Sequence, residues 1–559
     1  MFSGITALLP LAGVPGQSIG VVRLNSGSVE VEFSTWGQYT EDGDLVVPEA
    51  FTAVTVGILM DDFLNGRNVT ALPNGLQTFN WETKVQDLFP GDTVWELQDQ
   101  WSTEKANVAD TLSHVAGLTG HDFMYMSDDT PATLAPRFRY LRQNFELRQQ
   151  YSYNSIMYIL AAHVIETYSA KSFADFVKER IFEPLDMVST AFDVEEALSS
   201  GTMSQGWAST NGRRIPLWLT EEMSTRLVGG AGGIMSNAVD MTKWAGMLLN
   251  GGVDPYTNKT IVPAWIFDAT TTARTIVAGN VTGPPQIPSR SIIGYGLGWA
   301  RLSYQGHDIL THDGGVPGFL TTVMVLPEDN LAIVSFVNAD GPDSISELLP
   351  FAIIESTLGL NNTIQSEAGA FTGSNSSSAD STPSPSSTSN CTAPKVPTAQ
   401  FAGTYTSGGY GNITFCAPNT NNTDADAGTS AYCNGTLADF ASLGPLDANT
   451  LYARSPRIAS HFSMERACDS DSSGTADFVI RPLSIYPHGY GKNTTAFAEQ
   501  GGSQLPPGWH VKCVVDGDGQ SAKGVTAVGY GWMDIEDGQW TKPSQGTMQN
   551  LADVWWDKV

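Results

Sequence analysis

The chain has 559 residues, 41% of them hydrophobic, and sets 29 Lys and Arg against 58 Asp and Glu for a formal charge of −29; its sequence pI is near 4.5. That length allows two or more full cores, and the charge would repel a nucleic-acid backbone or an anionic bilayer over the whole surface. No apolar run approaches the roughly eighteen residues of a membrane-spanning helix.

The amino-terminal stretch "MFSGITALLPLAGVPGQS" has no basic n-region, so no signal peptide is read in this chain. "SIGVVRLNSGSVEVEF" (18–33) predicts a hairpin turning at Asn25-Ser26-Gly27. A helix follows from Ala50 to about Leu64, apolar nearly all round and so expected to be buried on most sides. "SIMYILAAHVIETY" predicts a second helix, and "SFADFVKERIF" a third, capped by Ser172. "SNAVDMTKWAGMLLNGG" predicts a fourth, opening on a Ser236 cap. Strands are expected at "YGLGWARLS", "HDILTHDG", "FLTTVMVLP" and "LAIVSFVNA", with turn chemistry between them. Residues 1–364 thus read as an α+β domain, an antiparallel sheet drawn from both chain ends and flanked by helices.

Residues 365–398 are Ser/Thr/Pro-rich and read as a linker that cannot bury a core. Residues 399–559 carry short alternating stretches separated by glycines, which predict a small all-β barrel or sandwich. All five cysteines lie in the last third of the chain. Cys416, Cys433, Cys468 and Cys513 are expected to form two disulfides, leaving Cys391 over in the linker. In the same region sequons begin at Asn375, Asn390, Asn412, Asn421, Asn434 and Asn493. Together with the cysteines they predict a secreted, extracellular glycoprotein, although no signal peptide is present in this chain.

Five stretches carry a family resemblance: "LSHVAGL" (112–118), "YSYNSIMYILAAHVIE" (151–166), "IFEPLDMVSTAF" (181–192), "GGAGGIMSNAVDMTKW" (229–244) and "HDGGVPGF" (312–319). In this order and spacing the chain resembles the serine β-lactamase-like proteins: class C β-lactamases, D-alanyl-D-alanine peptidases and related esterases. The resemblance covers about residues 10–360, and the tail resembles the lipocalin-like β domain that often follows.

The resemblance implies acyl-enzyme chemistry on three motifs. Ser-x-x-Lys opens the buried helix and supplies the nucleophile. Tyr-x-Asn supplies a base, and a Lys-Thr-Gly or His-x-Gly strand lines the site. Tyr153 matches the second motif as base, with Ser155 standing where the family has Asn and offering one substrate hydrogen bond. A phenol titrates near 10, so this base needs nearby cations at neutral pH. His312, Asp313, Gly314 and Gly315 match the third motif. The Gly315 N–H is the candidate oxyanion donor, with Asp313 and Gly314 beside the substrate.

The first motif is missing. "LVVPE" abuts "AFTAV" directly, as though about ten residues with the nucleophile and its lysine were removed between Glu49 and Ala50. The one Ser-x-x-Lys present, Ser102-Thr-Glu-Lys105, lies only 51 residues before Tyr153 and reads as a surface stretch. Ser113-His114 reads as a capped turn. The pairs His121-Asp122, His307-Asp308 and His312-Asp313 lack the spacing of metal ligands, so neither metal nor cofactor is expected.

The expected function is that of a β-lactamase-related serine hydrolase acting on a small-molecule or peptide acyl substrate, inactive in this chain for want of the nucleophile. Two alternatives stand beside it. One is a non-catalytic binding protein that keeps the pocket. The other is an extracellular glycan-binding protein in which Tyr410, Tyr452, Tyr490 and Trp532 stack on sugars. Substrate identity and oligomeric state stay open.

Overall fold

The computed structural model describes residues 14–25, 28–38, 51–90, 95–126, 128–208, 211–218, 226–279, 289–340, 343–364, 396–418, 427–455, 458–467, 475–499, 508–516, 526–533 and 547–559. The amino-terminal hairpin pairs β1 (Gly16–Asn25) with β2 (Ser28–Gly37), Asn25 opposite Ser28. The helices that follow include α1 (Thr52–Leu64), α2 (Val108–Leu112), α3 (Ser155–Ser169) and α4 (Ala238–Leu249). The chain then returns to the sheet through β3 (Thr275–Ala278), β4 (Ile293–Tyr295), β5 (Ala300–Tyr304), β6 (His307–Val316), β7 (Phe319–Leu326) and β8 (Leu331–Val337), and ends this part in α5 (Asp343–Leu358).

These eight strands form one antiparallel sheet in the order β2-β1-β8-β7-β6-β5-β4-β3, so the strands from the two chain ends meet at β1 and β8. Side chains alternate across it as a pleated strand requires. Ile19 and Val21 join the cluster built on Leu349, Phe351 and Ile353 of α5, whereas Val22, Val334 and Phe336 join the opposite core with Met241 and Trp244 of α4. The expected strand "YGLGWARLS" is in fact two, β4 and β5, because Gly298 takes a positive φ and the chain turns there.

Helix α1 is buried on most sides, with Phe51 tilted on Trp244 at 4.3 Å and edge-on to Phe182 at 5.6 Å. Its one buried acid, Asp62, is held by Arg67 and Arg180. The expected start at Ala50 falls outside the described residues, as does the junction with Glu49. Ser172 caps the third predicted helix as expected, accepting from the Asp175 N–H at 3.0 Å. Helix α4 is capped by Asn237 rather than Ser236: the Asn237 side chain accepts the Asp240 N–H, while the Ser236 hydroxyl is bonded to Thr190 at 2.8 Å.

The carboxy-terminal strands are β9 (Gly403–Ser407), β10 (Gly411–Phe415), β11 (Thr450–Arg454), β12 (His461–Arg466), β13 (Thr475–Tyr486), β14 (Phe497–Glu499), β15 (Trp509–Asp516), β16 (Thr526–Met533) and β17 (Val554–Lys558). They run β10-β9-β17-β16-β15-β13-β12-β11, with β14 beside β13. The two edges are joined where Cys416 and Tyr452 exchange backbone hydrogen bonds of 2.8 and 2.9 Å, so the sheet is a nearly closed barrel. A disulfide ties Cys416 at that seam to Cys433 on the helix α6 (Ala427–Ala441).

The expectation of two disulfides from four tail cysteines is corrected. Cys513 is a free thiol, fully buried on a central strand between β13 and β16. Cys391, Cys468 and nearly all of the 365–398 stretch lie outside the described residues. Three of the four aromatics proposed for sugar stacking are corrected as well, Tyr490 alone being half-buried. Tyr410 and Trp532 are buried in the barrel's apolar interior, and Tyr452 is buried on the opposite face of its strand against Phe440 of α6, so none of the three offers an open ring face to a glycan.

Gly20 sets the distance between α4 and the sheet. A Cβ there would sit 2.4 Å from Thr242 Cγ2 and 3.0 Å from Val334 Cγ2. Gly20→Ala is therefore expected to force the helix outward at a cost of about 1–3 kcal/mol, read as a lowered urea midpoint without a change in slope.

Candidate active site

Strand β6 is paired with β5 over His307–Thr311 and with β7 over Leu310–Val316, which fixes its register. Its register with β7 sets His312 opposite Val323, Asp313 opposite Thr322, Gly314 opposite Thr321 and Gly315 opposite Leu320. The other contribution comes from the start of α3, where Asn154 is the N-cap and accepts the Ile156 N–H at 3.1 Å. This cap leaves Tyr153 in the loop before the helix and Ser155 on its first turn.

The two segments face one cavity of about 630 Å³, lined by all six residues singled out from the sequence: Tyr153, Ser155, His312, Asp313, Gly314 and Gly315. The same walls carry groups that sequence reasoning did not select. Tyr151, Tyr295, Asp122 and Tyr125 line the cavity directly. Trp509 reaches it from the barrel, edge-on to Phe123 at 4.9 Å. The barrel is also tied to this part by His121, whose Nδ1 bonds the buried Tyr410 hydroxyl at 2.7 Å.

Behind the lining lies His114. It is buried and takes a left-handed φ of 57°. The Asn154 N–H donates to its Nδ1 at 3.1 Å, which places the ring proton on Nε2. Its ring lies 4.6 Å from Tyr153, 5.0 Å from Tyr158 and 5.1 Å from Tyr295. Burial first, and then the neighbouring His312, push its pKa down to about 3. The turn expected at Ser113-His114 is present, with Ser113 bonding back to the Ala109 carbonyl. What the sequence did not reveal is that this turn props up Tyr153.

His312 Nδ1 donates to the Asp313 carbonyl at 2.6 Å, leaving Nε2 to accept the Tyr295 hydroxyl at 3.2 Å. Burial lowers the His312 pKa to about 4. The Tyr295 phenol is pushed well above its ordinary value, by burial first and then by Tyr158 and its other tyrosine neighbours, so it stays a donor. At neutral pH the imidazole is an uncharged acceptor. Asp122 accepts the Tyr125 hydroxyl at 2.5 Å and is bonded by Ser155, and burial raises its pKa. Among the described residues that line the cavity there is no Lys or Arg. The cation that a phenol needs in order to act as a base is therefore not supplied by them.

Other candidate groups lie elsewhere. Ser102 is buried in the helix Gln100–Lys105, its N–H held by Asp99, and Lys105 turns to Glu104. Neither lines the cavity. The Thr52 hydroxyl, first on α1, is buried and donates to the Gly230 carbonyl at 2.6 Å. The three His-Asp pairs do unrelated work: His121 bonds Tyr410, His307 pairs with Asp329, and His312 bonds Tyr295 and its neighbour's carbonyl.

The model of the β-lactamase family matches residues 50–356, more than half of the chain. The chain belongs to the β-lactamase family. It is 32% identical over 300 residues to an unguisins hydrolase of Aspergillus campestris, covering 52% of this chain and 51% of that protein. A second unguisins hydrolase, from Aspergillus violaceofuscus, is 28% identical over 388 residues, covering 63% of each chain. Penicillin-binding protein 4 of Amycolatopsis lactamdurans is 26% identical over 262 residues, 46% of this chain and 65% of that one. The chain spans about half to two thirds of the length of these curated relatives. The octameric penicillin-binding protein homologue from Pyrococcus abyssi shares the fold at a TM-score of 0.51 and 14% identity, over 92% of this chain and 95% of that one.

In this β-lactamase-family chain the buried histidines have a measurable signature. His114 and His121, lowered to about 3 and about 4 chiefly by burial, stay neutral in the folded protein, whereas unfolded histidines titrate near 6.5. Below that pH the unfolded chain binds protons the folded one refuses. Stability is therefore lost as pH falls, by up to about 1.4 kcal/mol per unit for each histidine. Urea midpoints are expected to be flat above pH 7 on this account and to fall between about pH 6.5 and 5. His114→Asn, a residue that tolerates left-handed backbone, should remove about one proton from that slope.

Proposed function

We propose that this cavity is the acyl-transfer site of a serine hydrolase whose Ser-x-x-Lys segment is absent between Glu49 and Ala50, so that the chain as written binds acyl substrates without being acylated. The observation that carries this reading is the convergence of Tyr153, Ser155 and His312–Gly315 on one cavity. In the intact site Tyr153 is the base for the serine, the Gly315 N–H cradles the oxyanion, and Ser155, Asp313 and Gly314 orient the substrate. Hydrolysis of an amide or ester fits this arrangement, and the likeness to unguisins hydrolases supports it.

The loss is read as a gene-model or splicing error rather than a selected change. A selected pseudoenzyme reaches inactivity by one point substitution, whereas shortening the entry to a fully packed core helix disturbs everything around it. The Cys416–Cys433 disulfide and the exposed sequon residues Asn412, Asn434 and Asn493 support a secretory route for the protein.

Removal of a catalytic serine costs about 10⁶-fold in rate in this type of chemistry. Incubation with a fluorophosphonate probe or a penicillin should therefore leave the mass of this chain unchanged, and an adduct on Ser102 would overturn the reading. Genomic DNA across codons 49 and 50 is expected to hold an in-frame Ser-x-x-Lys segment, and its insertion should restore labelling. A genomic sequence without such a segment refutes the splicing account.

A further inference from the structure

One corner of the cavity shares few protons among many acceptors. Asp122, half-buried, lines the cavity together with Tyr125 and Ser155. The Tyr125 hydroxyl donates to Asp122 Oδ1 at 2.5 Å. Burial first, and then the neighbouring Asp122, push that phenol well above its ordinary pKa, so its proton stays in place. The Ser155 hydroxyl has one proton and two acceptors in reach, the Asp122 carboxylate and the Tyr125 oxygen. Either one takes it. A Cβ built on Gly120 would lie 3.7 Å from the Tyr153 carbonyl and 3.9 Å from Asp122 Oδ2, so the corner adjoins the loop that carries the proposed base. His121, which precedes Asp122, is tied to the barrel through Tyr410 and steadies the same segment.

Both hydroxyl protons are thus spent inside the corner, and what it shows the cavity is lone pairs. A carboxylate offers roughly four acceptor sites and a hydroxyl about two. Tyr125 and Ser155 fill at most two of those on Asp122. The lysine of the missing segment would take one more and still leave acceptors over. A ligand atom without a proton sets lone pair against lone pair here and leaves desolvated acceptors unpaired. A ligand N–H pairs with them, and a hydrogen bond to a charged acceptor is about twice as strong as a neutral one.

We propose that Asp122 and Ser155 together read an N–H, so that the cavity takes acyl compounds with a protonated amide nitrogen beside the reactive carbonyl and discriminates against their ester and N-methyl counterparts. The inference rests on the cavity being the acyl site proposed above, and it narrows the substrate class of that site.

The test is calorimetric binding to the full chain of N-phenylacetyl-glycine methyl ester, its N-methyl derivative and its oxygen isostere, methyl phenylacetoxyacetate. The first carries a single N–H and the other two carry none. Burial raises the Asp122 pKa and the two hydroxyls oppose that rise, so pH 8 is chosen to favour the carboxylate. The N–H compound is expected to bind at least about tenfold more tightly than either of the others. Asp122→Asn, which turns one acceptor into a donor, is expected to narrow that gap at least about threefold. Ser155→Ala, on a different element, is expected to narrow it likewise and carries the same test should Asp122→Asn fail to fold. An ester isostere or N-methyl compound bound within about tenfold of the N–H compound overturns the preference and leaves the acyl site standing. A gap that neither variant narrows overturns its assignment to this corner. Binding of none of the three compounds at millimolar concentration overturns the acyl-site reading itself.

Discussion

The amide of Asn154 donates to Nδ1 of His114, and the walls of the cavity are arranged about that bond. It joins two segments forty residues apart: the turn that leaves α2 and the loop that enters α3. A second tie, from the Ser152 N–H to the His114 carbonyl at 2.9 Å, holds the same loop. Because the imidazole must accept at Nδ1, it must be neutral, and a neutral ring can be buried without a counter-charge. That lets it fill the space among Tyr153, Tyr158 and Tyr295. Tyr158 is anchored in turn to the Leu112 carbonyl, so both the front and the back of the cluster are fixed to α2.

The remaining geometry follows from where this cluster meets the sheet. Tyr295 ends β4, bonds His312 on β6 and packs against His114 and Tyr151, so its ring joins the strand side to the helical side. The sheet supplies rigidity, since β6 lies between β5 and β7 and cannot shift register without breaking both ladders. The barrel closes another side through Trp509, and the His121–Tyr410 bond holds it there. The frame thus stands without a cationic centre among the described lining residues. The family's chemistry would supply that centre through its lysine, and both histidines nearest the cavity are held neutral.

Much of this was legible in the residues. The hairpin, the apolar α1, the capped helices and the sheet strands each follow from local periodicity and turn chemistry, which depend on neighbours within one element. Tyr153 and the His312–Gly315 stretch stood out because their residue types and spacing carry a chemical pattern. Other features were not legible. Tyr295 sits in an ordinary glycine-flanked strand, and Asp122 in what reads as a turn. Cys513 looked like half of a disulfide because cysteine counts carry no distances. Tyr410, Tyr452 and Trp532 looked available because composition does not show which side of a barrel a ring occupies or whether a helix covers it.

The amino-acid order alone was enough for the family, the sheet built from both chain ends, and the absence of a Ser-x-x-Lys at the head of the buried helix, since each is a pattern along the chain. The folded molecule alone decided that His114 is a neutral prop, that Tyr295 links the two motif segments, and that a tryptophan from the far barrel walls the cavity. Those relations join residues tens to hundreds of positions apart. Burial sets their protonation and their contacts, and burial is a property of the packed chain rather than of any segment within it.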